Sequence, residues 1–120
     1  MIIRQLLQAV TFLHDHGIFH RDIKLENVML EQFERPGQLH IKLTDFGFAS
    51  NFRNPSNVTM SYSVGTPEYM APEFTPARPA IKVPNFIGSA SWHTEKVDVW
   101  ASGVLAFLLL SRKHPFKRDG

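Results

Sequence analysis

The sequence has no cysteine among its 120 residues, so it can form neither a disulfide framework nor a thiol site. It also lacks an apolar run long enough to span a membrane, because its most apolar stretch, residues 99–110, falls well short of the ~20 residues required. The opening MIIRQ has neither the basic region nor the apolar core of a secretory signal. We therefore expect an intracellular, cytoplasmic protein with no membrane span.

A dense run of one charge and the spacing of metal ligands are also missing. Lys and Arg number 13 against 11 Asp and Glu, for a net charge of +2, and the basic residues are scattered. This pattern lacks the basic footprint of a nucleic-acid partner, so we expect none. His14 and His16 are only two residues apart, and Gly17 is expected to end the helix before His20, so these histidines lack the i, i+4 pairing within one helix that zinc-binding helices use, and a metal site at His14, His16 and His20 is set aside.

Two stretches of the sequence predict helices. Apolar residues recur at helical spacing over residues 2–13, and Gly17 follows as a stop, so an amphipathic helix should end near His16. A second helix is predicted over residues 95–111, with Thr94 as its cap. Because the second helix is apolar on nearly all sides, we expect it to lie in the centre of a larger body.

A small β-hairpin is predicted between the two helices. Residues 27–30 and the alternating residues 40–44 have the pattern of two short strands separated by a polar turn. Such a hairpin puts Asp45 just past its second strand. Residues 49–63 are polar without a sustained period, which predicts a loop.

Four short motifs follow one another along the chain. Residues 20–27 read HRDIKLEN, residues 45–47 read DFG, residues 71–73 read APE and residues 98–100 read DVW. Each motif alone arises often by chance, but the set in this order and spacing does not. In these motifs the chain resembles the eukaryotic protein kinases of the serine/threonine type.

The resemblance implies catalytic roles for Asp22 and Lys24. Asp22 resembles the aspartate that accepts or orients the proton of the substrate hydroxyl, and Lys24 would meet the transferring phosphate as a point charge. Asn27 and Asp45 would supply the hard oxygen ligands that Mg²⁺ prefers. The implied cofactors are ATP and Mg²⁺, bound through Lys24, Asn27 and Asp45, and the implied partner is a protein substrate.

The resemblance extends to the activation segment. Lys24 and Thr66 favour serine/threonine specificity, and the family residue matching Thr66 hydrogen-bonds to those matching Asp22 and Lys24. Arg21 leaves two interpretations open: it docks a phosphate on this segment, or it hydrogen-bonds loop carbonyls. The candidate phosphosites are Thr59, Ser61, Tyr62 and Ser63.

Other motif residues are expected to be structural. Gly47 would permit the backbone bend that aims Asp45, and Phe46 would pack under the loop. Asp98 resembles the aspartate that holds the backbone around His20, which itself should be a packed, hydrogen-bonded residue and not an acid–base catalyst. The residues expected to have structural roles are His20, Phe46, Gly47, Glu73 and Asp98.

The implied fold class is α+β, a mainly helical carboxyl-terminal kinase lobe with a small β-hairpin. We expect residues 1–120 to form a partial kinase domain, with a catalytic loop at 20–27, an activation segment at 45–73 and a central helix at about 95–111. No Gly-x-Gly-x-x-Gly occurs, so we expect the N-terminal ATP lobe to be absent, and likewise the final helices.

Two functions of different class follow from this pattern. The first is a serine/threonine kinase that transfers a phosphoryl group from ATP to a protein hydroxyl. The second is a catalytically inactive, truncated kinase lobe that acts as a binding or regulatory module. The intact Asp22, Lys24, Asn27 and Asp45 favour the first, because a lobe kept only for docking has no chemical need of them. Nothing in the sequence indicates an oligomeric state.

Overall fold

A computed structural model gives the architecture of the chain and describes residues 1–32, 37–51, 65–72 and 95–117. This described part contains two helices, α1 (Ile2–Asp15) and α2 (Lys96–Ser111). It also contains four short strands, β1 (Ile18–Phe19), β2 (Val28–Gln32), β3 (Leu39–Leu43) and β4 (Ser50–Asn51). The combination of helices with small antiparallel sheets agrees with the predicted α+β class.

Helix α1 confirms the first predicted helix. It ends one residue before His16, which is its C-cap, and Gly17 follows with a φ of 76°. This left-handed conformation lets the chain leave the helix, and glycine adopts it without a steric penalty. The inner face of α1 is buried through Leu6 and Val10, whereas Leu7 is 43% exposed.

Strands β2 and β3 form the predicted hairpin. They pair antiparallel, with Val28 opposite Leu43, and their limits differ from the predicted ones by one or two residues. Asn27 directly precedes β2, and Asp45 lies two positions after the end of β3. In an antiparallel pair, one strand begins beside the residue at which its partner ends. This register therefore brings Asn27 and Asp45 to the same end of the hairpin.

Strands β1 and β4 form a second antiparallel pair that the sequence did not predict. Phe19 lies opposite Ser50, inside the stretch interpreted as a loop, of which residues 52–63 lie outside the described residues. Strands of two residues are too short to show the alternation that reveals a strand. The pairing matters for the site because the HRD motif, residues 20–22, directly follows β1, and DFG shortly precedes β4.

Helix α2 confirms the second predicted helix, with one difference at its start. Glu95 is the N-cap and makes no side-chain cap hydrogen bond, whereas the predicted cap, Thr94, lies outside the described residues. We expected α2 to be enclosed on all sides. The described residues cover only one stripe of it, and Leu110 is 87% exposed. The buried stripe contains Asp98, Ala101, Ser102, Val104 and Leu105.

The hydrophobic core lies where α1 crosses α2. Each fully buried aliphatic side chain there contributes about 1.5–3 kcal/mol relative to exposure. Its buried members are Leu6, Val10, Ile23, Tyr69, Ala101, Val104 and Leu105. Ile23 belongs to the HRDIKLEN stretch, so that loop is packed directly on the core. Neither helix of the described part combines the length and apolarity that crossing a bilayer requires.

Candidate active site

The Asp98 side chain holds the backbone of the HRD motif in place. It lies in the first turn of α2 and is 1% exposed. Its Oδ2 accepts a hydrogen bond from the His20 backbone N–H at 2.9 Å, and its Oδ1 accepts one from the Arg21 N–H at 2.9 Å. Arg21 has a φ of 67°, which is strained for a residue with a side chain and persists only when its surroundings hold it. The two bonds to Asp98 supply that restraint.

His20 links the HRD motif to the end of β3. Its side chain is fully buried, with Nδ1 accepting the Asp22 N–H at 3.1 Å and Nε2 lying 2.9 Å from the Thr44 carbonyl oxygen. An amide N–H only donates and a carbonyl only accepts, so the ring is neutral with its proton on Nε2. The ring also contacts Phe46 edge-on, with centroids 4.9 Å apart. His20 is thus a packed, hydrogen-bonded residue.

His14 belongs to the site although no motif pointed to it. Its Nε2 lies 2.8 Å from Asp98 Oδ2, and because a carboxylate only accepts, Nε2 carries the proton. Asp98 therefore has three N–H donors, one of them from α1. The two residues are 84 positions apart in the chain, so spacing within the helix carries no signal for this contact.

Asp22, Lys24 and Thr66 form one hydrogen-bonded cluster. The Thr66 hydroxyl donates to Asp22 Oδ1 at 3.0 Å and accepts from Lys24 Nζ at 3.0 Å. Lys24 Nζ also lies 3.5 Å from Asp22 Oδ2, and Asp22 is only 5% exposed. Both contacts expected for Thr66 are present, and they join residues 65–72 to the loop at 20–27.

The side-chain amide of Asn27 is oriented by Asp22. Its Nδ2 donates to the Asp22 carbonyl oxygen at 2.8 Å and to Asp22 Oδ2 at 3.2 Å. Because both partners are acceptors, the nitrogen must occupy this side, and Oδ1 is the amide atom left for a cation. The Asn27 backbone carbonyl accepts the Thr44 N–H at 2.8 Å, which holds the two ends of the hairpin together.

The left-handed backbone conformation within DFG lies at Asp45 and not at Gly47. Asp45 has a φ of 58°, whereas the φ of Gly47 is not positive. Asp tolerates the left-handed region because its side chain can bond the backbone two residues on, and Asp45 Oδ1 does so with the Gly47 N–H at 3.2 Å. Gly47 instead supplies space, since a Cβ there would lie 3.1 Å from that oxygen. Asp45 Oδ2 is left for a cation.

Phe46 and Arg21 flank this bend. Phe46 contacts His20 but is 47% exposed, so it packs under the loop with only one side. The Arg21 Nε donates to the Phe48 carbonyl oxygen, which is the contact expected from the interpretation that Arg21 bonds loop carbonyls. Burial lowers the pKa of Arg21, and the nearby Asp98 partly offsets this shift. The proposed phosphate partners Thr59, Ser61, Tyr62 and Ser63, and also Glu73, lie outside the described residues.

Tyr69 is a further contact to the loop that sequence reasoning missed. It is 8% exposed, and its hydroxyl oxygen accepts the Leu25 N–H at 3.3 Å. Burial raises the pKa of Tyr69, so the phenol is neutral around pH 7. Tyr69 follows Thr66 by three residues, and each of these two side chains bonds a different part of the loop at 20–27.

At Gly65, the segment of residues 65–72 comes into close contact with the loop at 20–27. Its φ is 115°, and a Cβ built there would lie 2.9 Å from the Arg21 carbonyl oxygen. We expect Gly65→Ala to lower the free energy of unfolding by about 1–3 kcal/mol, because the backbone conformation is strained and the oxygen must move. Urea unfolding followed by circular dichroism measures this change.

Gly103→Ala is the matched control for Gly65→Ala. Gly103 lies within α2, and a Cβ there would meet nothing within 4 Å. Alanine is the better helix former, so this variant should gain up to about 1 kcal/mol of stability. A loss of equal size in both variants would contradict the close approach at Gly65.

The donor set at the hairpin end fits Mg²⁺ bound together with phosphates. No group of three or more His, Cys, Asp or Glu side chains suited to a metal ion occurs among the described residues. Asn27 Oδ1 and Asp45 Oδ2 are two hard oxygen donors, and Mg²⁺ commonly takes one or two protein ligands and fills the rest with phosphates and water. The residues therefore match a nucleotide-borne Mg²⁺ better than an ion held by protein alone.

Comparison with known proteins agrees with this geometry. The family profile described as "Protein kinase domain" matches residues 1–120. The chain is 38% identical to human "Serine/threonine-protein kinase H1" over 119 residues, covering 98% of this chain and 24% of that protein. It is 39% identical to "Meiosis-specific serine/threonine-protein kinase mek1" of Schizosaccharomyces pombe over 119 residues, covering 99% of this chain and 26% of that protein.

A third relative is bovine "Serine/threonine-protein kinase 33", 36% identical over 119 residues, with 96% of this chain and 22% of that protein covered. The chain thus spans about a quarter of the length of these curated relatives. The family profile covers every residue of the chain, and the resemblance predicted from the four motifs is confirmed. This chain belongs to the protein kinase family, and its relatives are kinases of the serine/threonine type.

Proposed function

We propose that the protein transfers the terminal phosphoryl group of ATP to serine or threonine hydroxyls of a protein substrate. The observation that carries this proposal is the position of the Thr66 hydroxyl, which donates to Asp22 and accepts from Lys24. An aliphatic hydroxyl is thus already held between the two side chains that would meet a substrate hydroxyl. The pair binds the chemical group that a serine/threonine kinase acts on.

In this mechanism Asp22 orients the substrate hydroxyl and accepts its proton as the oxygen attacks. Asp22 is buried and hydrogen-bonded on both oxygens, so its carboxylate is held in place before the substrate arrives. Lys24 would place one positive charge beside the substrate hydroxyl, as it does beside the Thr66 hydroxyl. This charge would stabilise the negatively charged phosphoryl group during transfer. Phosphoryl transfer needs mainly such positioning and charge neutralisation.

Asn27 Oδ1 and Asp45 Oδ2 would hold the Mg²⁺ that accompanies ATP. When bound, Mg²⁺ neutralises charge on the phosphate oxygens. The chain's own contribution is orientation. Asp22 turns the Asn27 amide, and the Gly47 N–H fixes the Asp45 carboxylate.

We also propose the finer fold assignment, a carboxyl-terminal kinase lobe. The helix at 96–111 would be its central helix, residues 20–27 its catalytic loop and residues 45–73 its activation segment. Asp98 supports this assignment, because it joins that helix to HRD through two backbone hydrogen bonds. An intracellular, cytoplasmic location is part of the proposal, since ATP and Mg²⁺ are the implied cofactors and no cysteine occurs.

The alternative is a binding or regulatory module without turnover. The two functions are distinguished by incubating the native gene product with γ-labelled ATP, Mg²⁺ and a serine/threonine peptide library. Label on serine or threonine is expected. No label on any peptide, with partner binding retained, would favour the module.

The metal role of Asp45 gives a test that needs no turnover. Mn²⁺ is a paramagnetic stand-in for Mg²⁺, and titrating it in the presence of ATP into the ¹⁵N-labelled chain should broaden the amide signals of Asn27 and Gly47. Asp45→Asn removes the carboxylate, and we expect the apparent Mn²⁺ affinity to fall by about tenfold or more. NMR line widths measure the change.

Glu31→Gln is the control for Asp45→Asn. Glu31 is a carboxylate on β2 whose side chain is 40% exposed and lies 2.8 Å from Lys42 Nζ. Its replacement should leave the Mn²⁺ titration unchanged, because it lies away from the Asn27 end of the strand. Broadening that survives Asp45→Asn at full affinity would rule out the proposed metal site.

A further inference from the structure

The side-chain amide of Gln5 makes two hydrogen bonds to the backbone of β3. Its Nε2 donates to the Leu39 carbonyl oxygen at 2.9 Å, and its Oε1 accepts the Ile41 N–H at 3.0 Å. The partners lie 34 and 36 positions further along the chain. Gln5 is half-buried on α1. This one side chain of the helix bonds both a backbone donor and a backbone acceptor of the strand.

The two bonds occupy the edge of β3 that faces away from β2. A backbone N–H donates once, so the Ile41 N–H that bonds Gln5 takes no part in the ladder with β2. Residues two apart on a strand present these groups on the same edge, which is why one amide reaches both. Gln5 therefore substitutes for a neighbouring strand at this edge.

The two hydrogen bonds of Gln5 are directional, whereas the apolar packing between α1 and β3 is not. Ile3 of α1 and Ile41 of β3 both pack against the core, but apolar burial is roughly proportional to area and tolerates sliding. An amide bonded to two backbone groups holds only one register. Gln5 thus fixes where β3 lies along α1.

The register of β3 matters because the strand leads into the proposed metal site. Asp45 follows Ile41 by four residues, about 13 Å of extended chain. Thr44, between them, donates its backbone N–H to the Asn27 carbonyl at 2.8 Å and its hydroxyl to the same oxygen at 3.1 Å. A displacement of β3 would therefore move both proposed metal ligands.

We propose that Gln5 is a positioning residue for the metal site, holding β3 on α1 so that Asn27 and Asp45 meet the cation together. The inference rests on the proposed function, because it takes these two residues as the ligands. A merely structural role, in which Gln5 satisfies two backbone groups at a sheet edge, would alter stability but not metal affinity.

The experiment compares Gln5→Met with Gln8→Met in the 120-residue chain. Methionine keeps an unbranched side chain of similar length and removes both hydrogen bonds. Gln8 lies on the same helix and is exposed. NMR measures the hydrogen exchange of the Ile41 amide and the response of the Asn27 and Gly47 signals to Mn²⁺ titrated in the presence of ATP.

In Gln5→Met we expect the Ile41 amide to exchange about tenfold faster or more, and the apparent Mn²⁺ affinity to fall by about tenfold. Gln8→Met should change neither. Gln5→Glu keeps an acceptor for the Ile41 N–H and loses the donor to Leu39, so its exchange rate should be intermediate. This variant also serves if Gln5→Met does not fold.

The outcomes separate the two proposals. Unchanged Ile41 exchange in Gln5→Met would overturn the contact, and faster exchange with unchanged Mn²⁺ affinity would overturn the positioning role. Both leave the metal site itself intact. A wild-type chain whose Asn27 and Gly47 signals do not respond to Mn²⁺ in the presence of ATP would instead overturn the metal site, and the positioning role with it.

Discussion

Asp98→Ala is expected to lower the free energy of unfolding by about 3–5 kcal/mol, among the largest losses that a single substitution in this chain can cause. Asp98 is 1% exposed and accepts three N–H groups, from the His20 and Arg21 backbone and from the His14 ring. Without the carboxylate, these buried donors lose their acceptor, and each costs about 1–3 kcal/mol if it stays unpaired. Urea unfolding measures the loss.

Asp98→Asn refines the same prediction. Its single amide oxygen can replace Oδ2, which serves His20 and His14, but its NH₂ group then faces the Arg21 N–H. We expect a smaller loss of stability than for alanine, with the Arg21 amide showing the largest increase in hydrogen exchange. This variant also provides the measurement if the alanine chain does not fold.

Glu95→Ala is the control for both Asp98 variants. Glu95 is an exposed acid three residues earlier, at the start of the same helix, and its side chain makes no cap hydrogen bond. Its replacement should change the free energy of unfolding by no more than about 0.5 kcal/mol. A comparable loss in Glu95→Ala would mean that negative charge near the helix start, and not the three bonds, explains Asp98.

The parts of the fold that were predictable are those whose pattern repeats within one segment. Helix α1 shows several helical periods, and β3 shows alternation, so both were found to within one or two residues. Strands β1 and β4 have two residues each, too few for any period. They form because the segments before HRD and after DFG meet in space.

The polar residues that support the site were less visible for a related reason. Gln5 and His14 look like members of the solvent face of α1, since sequence shows only that they alternate with apolar residues. Their partners, Ile41 and Asp98, are 36 and 84 residues away. Only the packing of α1 against β3 and α2 makes these contacts, so no local pattern could predict them.

The DFG bend shows how a local rule fails at a site. Glycine is the default residue for a positive φ, yet Gly47 does not have one. The chain puts the positive φ at Asp45, because that conformation lets its own Oδ1 accept the Gly47 N–H. The same bond fixes one carboxylate oxygen and leaves the other for a cation, so the strained backbone coincides with the proposed metal ligand.

Asp22→Asn is expected to lower the rate of phosphoryl transfer by the native gene product about 10²–10⁴-fold. An amide cannot accept the proton of the substrate hydroxyl, and it carries no charge to orient that hydroxyl. The amide oxygen can still accept a hydrogen bond from Thr66 or from Asn27, so the loop should keep its fold. The loss should therefore appear in kcat, with KM for the peptide and for ATP changed by only a small factor.

Glu31→Gln, which neutralises a partly exposed carboxylate on β2, is the matched control and should keep full activity. Circular dichroism of both variants verifies that they fold. If Asp22→Asn kept kcat within about threefold of wild type, Asp22 would not be the group that takes the proton. A rise in KM with kcat unchanged would assign Asp22 to substrate binding alone, because uniform binding lowers KM without accelerating the chemical step. The split between kcat and KM thus decides whether Asp22 orients the substrate hydroxyl for transfer or only binds the substrate.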